Sequence, residues 1–502
     1  MHIGDCCPQH SKVVGILSVD DENCIRQFPY QCDLGCCEIY QGENVRNKEL
    51  MIDVFSEINK MKCFFFAKIK RQIKRCLGAY YSWKANCSVD KGEFVDLTYG
   101  QMFFIKDYSI DKFISIKKYN DEMLTSKIRS HNRVKFAFVT YTSSMWNLNY
   151  LHQLLCEDCR YDVDVVVGRF SIKDESAREK EYNETIKYFK DLKYSIIEAE
   201  NIKDISEYDV LFYLTPFAFF DDNINLKNVP TNVLLLHASY SYMLAGNMRK
   251  LEIPLYHLVY RYYTDTDFYQ KMISKLKFYT GNAVYLGFPK MDYFYQAQCQ
   301  KRSTKKIIIY APHHSVNYTK FKAATFEDNH NEILELAKEY IDTTYWIYKP
   351  HPLLRAHSVE AGIFSSVDEY DIYEEKWRQL QNAEVISAGE YFSIFKESDA
   401  MITDSVSFLA EYQFTHNPLL LLKSEKEEYN NFGQSLIDIL YQCLGTDIGR
   451  IESFVKNIIA SNDEDKGKRM AYFEKNLSYI QNGKLANERI YEDILSFSQV
   501  NR

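Results

Sequence analysis

The sequence predicts an α/β protein of two doubly wound, Rossmann-like domains facing a cleft, with an N-terminal extension ahead of them. Three observations predict this class. Short apolar runs alternate with helical stretches from Arg133 to Lys290, which implies a parallel sheet with crossover helices. A second alternating series starts near Lys305, so the join falls near residues 291–304 and a cleft lies between the two halves. Within the second series, residues 399–422 read as a strand–turn–helix–strand unit.

The elements follow in order. Val13–Val19 reads as a strand and Glu49–Leu77 as a long helix. In that helix Lys60, Lys62, Lys68, Lys70, Arg71, Lys74 and Arg75 flank Met61, Phe64, Phe65, Phe66, Ile69 and Ile73. Such a helix suits an anionic membrane surface, or it packs its Phe face on the next domain with its lysines in water. Residues 78–130 carry no interpretable motif. The first domain is expected to hold strands at Val134–Thr140, Val163–Val167, Ser195–Glu198, Asp209–Leu214, Asn232–Leu236 and Ala283–Leu286. Its helices are expected at Trp146–Cys156 and Tyr182–Leu192. In the second domain the strands are Ile307–Tyr310, Thr343–Tyr348, Val385–Ser387, Ala400–Thr403 and Leu419–Leu422. Helices fall at Asn331–Tyr340, Phe392–Glu397 and around Phe408–Gln413, and the chain is helical and polar after Ile448. The implied domains are 1–130, an extension; 131–290 and 305–470, two Rossmann-like domains; and 471–502, a C-terminal helical segment.

Composition narrows the function. The 502 residues are 46% hydrophobic with a formal net charge of -8, which fits a globular chain and argues against a general nucleic-acid binder. The 40 Tyr and 32 Phe exceed what a core alone needs to explain, and some can line a cleft for a hydroxylated ligand. No apolar stretch reaches the roughly 18 residues of a transmembrane helix. No basic-then-apolar leader opens the sequence, so a cytoplasmic location is expected, with the inner face of the membrane as a peripheral partner. Of the 13 Cys, nine precede residue 88. Cys32-x3-Cys36-Cys37, with Cys6 and Cys7 upstream, offers a zinc site as the alternative, but the spacing does not form two matched C-x2-C pairs, and free thiols with no metal are expected. Asp265-x-Asp267 resembles a metal-binding carboxylate pair but sits in a Tyr-rich stretch read as helical.

Three strand-to-loop junctions of the second domain carry chemistry: His313/His314/Ser315, Lys349/His351, and Asp404/Ser405/Ser407. In a parallel sheet their carboxyl ends share one edge, so the loops converge. Imidazoles, an amine, hydroxyls and a helix N-terminus suit a pyrophosphate. Asp404 and Ser405 also read simply as helix-cap residues. Two prolines around His351, in Lys349-Pro350-His351-Pro352, hold its backbone extended and aim the ring. Glu411 is placed to accept ribose hydroxyls, or is a solvated helix carboxylate. His237, at the end of a first-domain strand, can take a proton from an acceptor hydroxyl, or is a hydrogen-bonded strand-end histidine. Walker A, GxGxxG, HExxH and GxSxG patterns are absent.

Five segments in order resemble the CDP-glycerol glycerophosphotransferase (teichoic-acid polymerase-like) family. They are Gly287-Phe288-Pro289-Lys290-Met291-Asp292, Ile309-Tyr310-Ala311-Pro312, Lys349-Pro350-His351-Pro352, Ile402-Thr403-Asp404-Ser405-Val406-Ser407, and Gly483-Lys484-Leu485-Ala486-Asn487-Glu488-Arg489. The family's Trp-His-Gly-Thr-Pro motif is reduced to Leu236-His237-Ala238-Ser239, and Phe408-Leu409-Ala410-Glu411-Tyr412 is similar to a capsule-biosynthesis branch.

The resemblance implies a GT-B fold and transfer of a glycerol-phosphate-type group from a CDP-linked donor to a polymer or lipid-linked acceptor. It implies His237 and His351 as catalytic residues. His313, His314, Ser315, Lys349, Asp404, Ser405, Ser407 and Glu411 would bind nucleotide or phosphate, and no cofactor or metal is required. The alternatives are a nucleotide-sugar glycosyltransferase of surface polysaccharide synthesis and a non-catalytic nucleotide-binding scaffold.

Overall fold

A computed structural model describes residues 45–499 except Lys173, 217–218, 245–252, 319–322, 388–390 and 425–427; for residues 45–66 it describes the backbone alone. The strand expected at Val13–Val19 and the side chains Phe64 to Phe66 lie outside the described residues. The chain divides into a unit of residues 1–70 and a compact unit of residues 71–502.

The compact unit is built on two parallel sheets. The first holds β1 (Val134–Thr140), β2 (Tyr161–Val167), β3 (Ile196–Glu198), β4 (Val210–Tyr213), β5 (Leu234–Ala238), β6 (Arg261–Tyr263) and β7 (Ala283–Val284), in the order β3-β2-β1-β4-β5-β6-β7. The second holds β8 (Lys306–Ala311), β9 (Thr344–Tyr348), β10 (Ala383–Val385), β11 (Ala400–Thr403), β12 (Leu419–Lys423) and β13 (Tyr441–Leu444), in the order β10-β9-β8-β11-β12-β13. Every pairing is parallel. Each sheet reverses direction beside its first strand, the place where open α/β sheets form a ligand crevice.

Alternation along each strand builds a core on both faces. In β8, Ile307 and Ile309 join one cluster while Ile308 and Tyr310 join the other. In β4, Leu211 and Tyr213 face one layer, and Val210 and Phe212 the opposite one. Burial on both sides is why these strands read as nearly continuous apolar runs.

Two strands were not expected. β6 lies in the Tyr-rich stretch read as helical, and pairing with β5 and β7 decides its state. Three residues carry too little periodicity to announce a strand, and aromatic residues suit a sheet. β13 joins β12 in the same way.

The extension is shorter than the sequence suggests. Helix α1 spans Val45–Asp90, past the expected end at Leu77. Gly78 sits inside it because a Cβ there would meet the Phe104 carbonyl oxygen at 2.3 Å. The glycine permits a close crossing with α2 (Tyr99–Tyr108), which starts with a Thr98/Gln101 capping box. Ala85, Val95, Met102, Ile105, Phe113 and Ile116 belong to the first domain's core, and Leu124 and Ile128 of α3 (Ile110–Ser130) to its other layer. Residues 85–130 are therefore part of the first domain.

The C-terminal segment is not separate either. Helix Lys466–Asn476 packs Phe473 into the second domain, whereas helix Ala486–Ser498 places Ile490, Ile494 and Phe497 in the first. Asp493 accepts from Arg261 Nε at 3.1 Å and from the Tyr263 hydroxyl at 2.9 Å. The chain end thus ties the two domains together.

The segment Gly287 to Asp292 anchors this crossing. Asp292, buried, accepts from the Tyr479 hydroxyl (2.5 Å), Ala486 N (3.0 Å), Asn487 N (2.8 Å) and Asn487 Nδ2 (2.6 Å). Gly287 has φ +104°, and a Cβ would lie 2.4 Å from the Tyr479 ring and 2.9 Å from Ala486 Cβ. Gly287→Ala is expected to lower stability by about 1–3 kcal/mol through backbone strain and overpacking. Chemical denaturation would register this as an earlier midpoint.

Candidate donor site

The loops after β8, β9 and β11 converge as expected. His351 N donates to the Pro312 carbonyl at 3.1 Å, and His313 N donates to Asp404 Oδ1 at 2.6 Å. Ring centroids lie 4.3 Å apart for His313–His314, 4.1 Å for His314–His351 and 5.6 Å for His313–His351.

A fourth histidine joins them. His357 lies on helix Leu354–Glu360, which turns back after Pro352 and sets its ring 5.1 Å from that of His314. Sequence reasoning did not single it out. Its only signal is its place six residues after His351, on a helix whose direction the sequence does not reveal.

The hydrogen bonds fix one tautomer in three of these rings. His351 Nδ1 accepts from Leu353 N at 3.1 Å. His357 Nδ1 donates to the His314 carbonyl at 3.0 Å, so the 3.1 Å contact between the two Nδ1 atoms leaves His314 Nδ1 as acceptor. The Ser315 hydroxyl accepts from Ala323 N and Ala324 N, and its own proton goes to His313 Nδ1 at 3.0 Å. Neutral His313, His314 and His351 therefore each carry their proton on Nε2. Burial, then the neighbouring imidazoles, lowers their pKa values to about 3 for His313, about 4 for His314 and about 3 for His351. At neutral pH this is a cluster of uncharged N–H donors.

Other expected contacts are corrected by where the side chains point. Asp404 is buried, and its carboxylate accepts from His313 N, from Thr325 N (2.6 Å) and from the Thr325 hydroxyl (3.0 Å). It braces the β8 and β11 loops rather than facing a ligand. Burial pushes its pKa up to about 6 against those bonds. Ser315 is fully buried and holds residues 323–324. Glu411 is fully buried, with Oε1 2.7 Å from Lys290 Nζ and Oε2 2.5 Å from the Tyr391 hydroxyl. A ribose would have to displace those partners.

Tyr391, also missed, carries Lys290 Nζ at 5.6 Å and Lys349 Nζ at 5.4 Å from its ring centroid. Lys349 is buried. Ser405 is buried at the start of helix Val406–Glu411 without capping it through its side chain, and its hydroxyl lies 3.5 Å from that of half-buried Ser407.

The acceptor-side residue departs most from expectation. His237 is 0% exposed rather than lining a cleft. Its ring lies 5.4 Å from Tyr256 and 5.2 Å from Tyr262, its Nδ1 donates to the Tyr213 carbonyl at 2.6 Å, and burial lowers its pKa to about 4. Nε2 has no hydrogen-bond partner among the described residues. Asp265, just after β6, is also buried and accepts from Met243 N at 2.7 Å, so it pins the loop after β5. Among the described residues no group of three or more His, Cys, Asp or Glu could hold a metal ion, and no helix is long and apolar enough to cross a membrane.

Two doubly wound parallel-sheet domains tied by a C-terminal helix define a GT-B-type protein. Residues 250–496 match the model of the CDP-Glycerol:Poly(glycerophosphate) glycerophosphotransferase family. Among solved structures, the wall teichoic acid polymerase TagF is 14% identical, covering 77% of this chain and 94% of that one with a TM-score of 0.47. A single-residue variant of that polymerase is 13% identical over 84% and 97%, at 0.49. MnaA of S. aureus, solved with UDP, is 17% identical over 74% and 98%, at 0.46. No curated protein matches the chain.

Proposed function

We propose that the protein transfers a polyol-phosphate group from a CDP-linked donor to an acceptor hydroxyl in the synthesis of a teichoic-acid-type or capsular polymer. The observation that carries this reading is the trio of Nε2–H donors locked at the carboxyl edge of the second sheet. Uncharged donors in a partly buried site suit a diphosphate whose charge shifts during transfer. Ser405, Ser407 and the first turn of helix Val406–Glu411 would add donors, and Lys349 a positive charge.

In this reading the acceptor oxygen forms a bond to the donor's distal phosphorus. The phosphoanhydride bond breaks and CMP leaves. His237 accepts the hydroxyl proton. Its Nδ1–H is fixed by the Tyr213 carbonyl, which leaves the Nε2 lone pair as the basic site. Acceptor binding must then part Tyr256 and Tyr262 from the ring.

The enclosure of His237 favours one other reading, nucleotide binding without turnover. Both are tested by thermal shift with CDP, UDP and GDP, with and without EDTA, followed by a CMP-release assay with CDP-glycerol and CDP-ribitol. A CDP-selective shift that survives EDTA, together with CMP release, is expected. A UDP or GDP preference with release of a nucleoside diphosphate would replace it with glycosyl transfer, and a shift without product would leave a scaffold.

A further inference from the structure

The first domain contains an apolar pocket that the donor site does not use. It has room for about 320 Å³ between α2, the loop after β4 and helix Pro254–Leu258, a size within the range of small-molecule sites. Phe103, Phe104, Phe219, Leu226, Leu255 and Leu258 make its walls. Thr215, Asn225 and Lys227 break the apolar lining. Thr215, fully buried in the wall, has a hydroxyl without a hydrogen-bond partner among the described residues. At the rim, exposed Lys227 makes a solvent-exposed ion pair with Asp222, at 3.1 Å. A hydrocarbon chain ending in one ester oxygen and an anionic head matches these features in turn: chain to the walls, oxygen to Thr215, anion to Lys227.

The outer surface of α1 says where such a molecule comes from. Ile73, Tyr80 and Trp83 are 55%, 54% and 63% exposed, and at helical spacing they form one outward stripe. Arg75 is exposed on the flank beside Trp83 and Lys84 lies on the other side, beside Ile73, while Arg71 faces away from the stripe. An apolar stripe between basic residues is the pattern of a helix lying on an anionic bilayer. Lys84 also pairs with Asp96 at 2.9 Å, just ahead of Gly100 in the pocket wall. The stripe and the pocket therefore belong to one corner of the domain.

We propose that this pocket binds the hydrocarbon chain of a lipid-linked acceptor phosphate drawn from a membrane surface on which α1 lies. The identity of the head group rests on the transferase reading; chain binding does not, and is measured without turnover.

The test is calorimetric titration of decyl phosphate, below its micelle concentration, into the full chain. Saturable one-to-one binding is expected. Leu226→Trp, which fills the half-buried mouth, should weaken it at least tenfold, and Thr215→Val severalfold, with circular dichroism unchanged. No saturable binding, or equal binding by wild type and both variants, would overturn the proposal. If Leu226→Trp fails to fold, a diazirine-bearing alkyl phosphate decides the matter in the wild type. Labelling of residues 213–227 and 254–258 supports the pocket, and labelling elsewhere overturns it. Chain binding without CMP release would retain the pocket and remove the transferase reading.

Discussion

His351→Ala is expected to lower CMP release by about 10²–10⁴-fold, the range for losing a positioned proton-bearing group. The reason is local. Pro350 and Pro352 fix the backbone, Leu353 N holds Nδ1, and the remaining Nε2–H is the donor offered to a phosphate. His351→Gln keeps an N–H donor and should retain part of the rate, which a merely structural role would not predict. The pH dependence follows from the same cluster. In the free protein, burial and the adjoining rings of His314 and His357 hold the His351 pKa at about 3. An anionic ligand beside the rings favours their charged forms and raises those values. Binding therefore takes up protons, and CDP affinity should strengthen as pH falls through the raised values towards the free protein's value of about 3. Buried Lys349 opposes protonation. Titrations in buffers of different ionisation enthalpy would measure the uptake. An affinity that is flat or rises with pH would contradict the role given to the imidazoles.

Asp292→Ala should produce the largest loss of stability. The carboxylate holds the Tyr479 hydroxyl, two backbone N–H groups at the start of helix Ala486–Ser498, and the Asn487 amide. Each buried donor left without a partner costs about 1–3 kcal/mol, so a total loss of at least about 3 kcal/mol is expected. The negative charge beside that helix N-terminus is lost as well. Because the helix packs Ile490, Ile494 and Phe497 into the first domain, the same change should expose residues 477–486 to proteolysis. Asp292→Asn retains one acceptor oxygen and should fall between the two. Urea unfolding followed by limited proteolysis would check both points; a variant as stable and resistant as wild type would show that the clamp contributes little.

Most strands were legible because a strand buried on both faces is a short, nearly unbroken apolar run. β6 and β13 were not, since each takes its state from its neighbours in the sheet. The end of α1 was missed because Gly78 serves a helix crossing with α2, which local sequence does not encode. Residues 85–130 lacked a readable motif because their apolar side chains complete a core whose other half lies up to about residue 283.

For the site, the order and character of the strands were enough to establish that three loops meet at one sheet edge and bring His313, His314 and His351 together. That follows from parallel topology, in which strand carboxyl ends share an edge. They could not assign Asp404, Ser315, Glu411 or His237, because a carboxylate, hydroxyl or imidazole has the same identity whether it faces a ligand or braces the protein. The partners decide, and they are remote in sequence: Thr325 for Asp404, Lys290 and Tyr391 for Glu411, Tyr213 for His237. His357 became part of the cluster only when its helix folded back onto His314. Local patterning specified where chemistry could gather, and long-range hydrogen bonding and packing decided which side chains remain available for it.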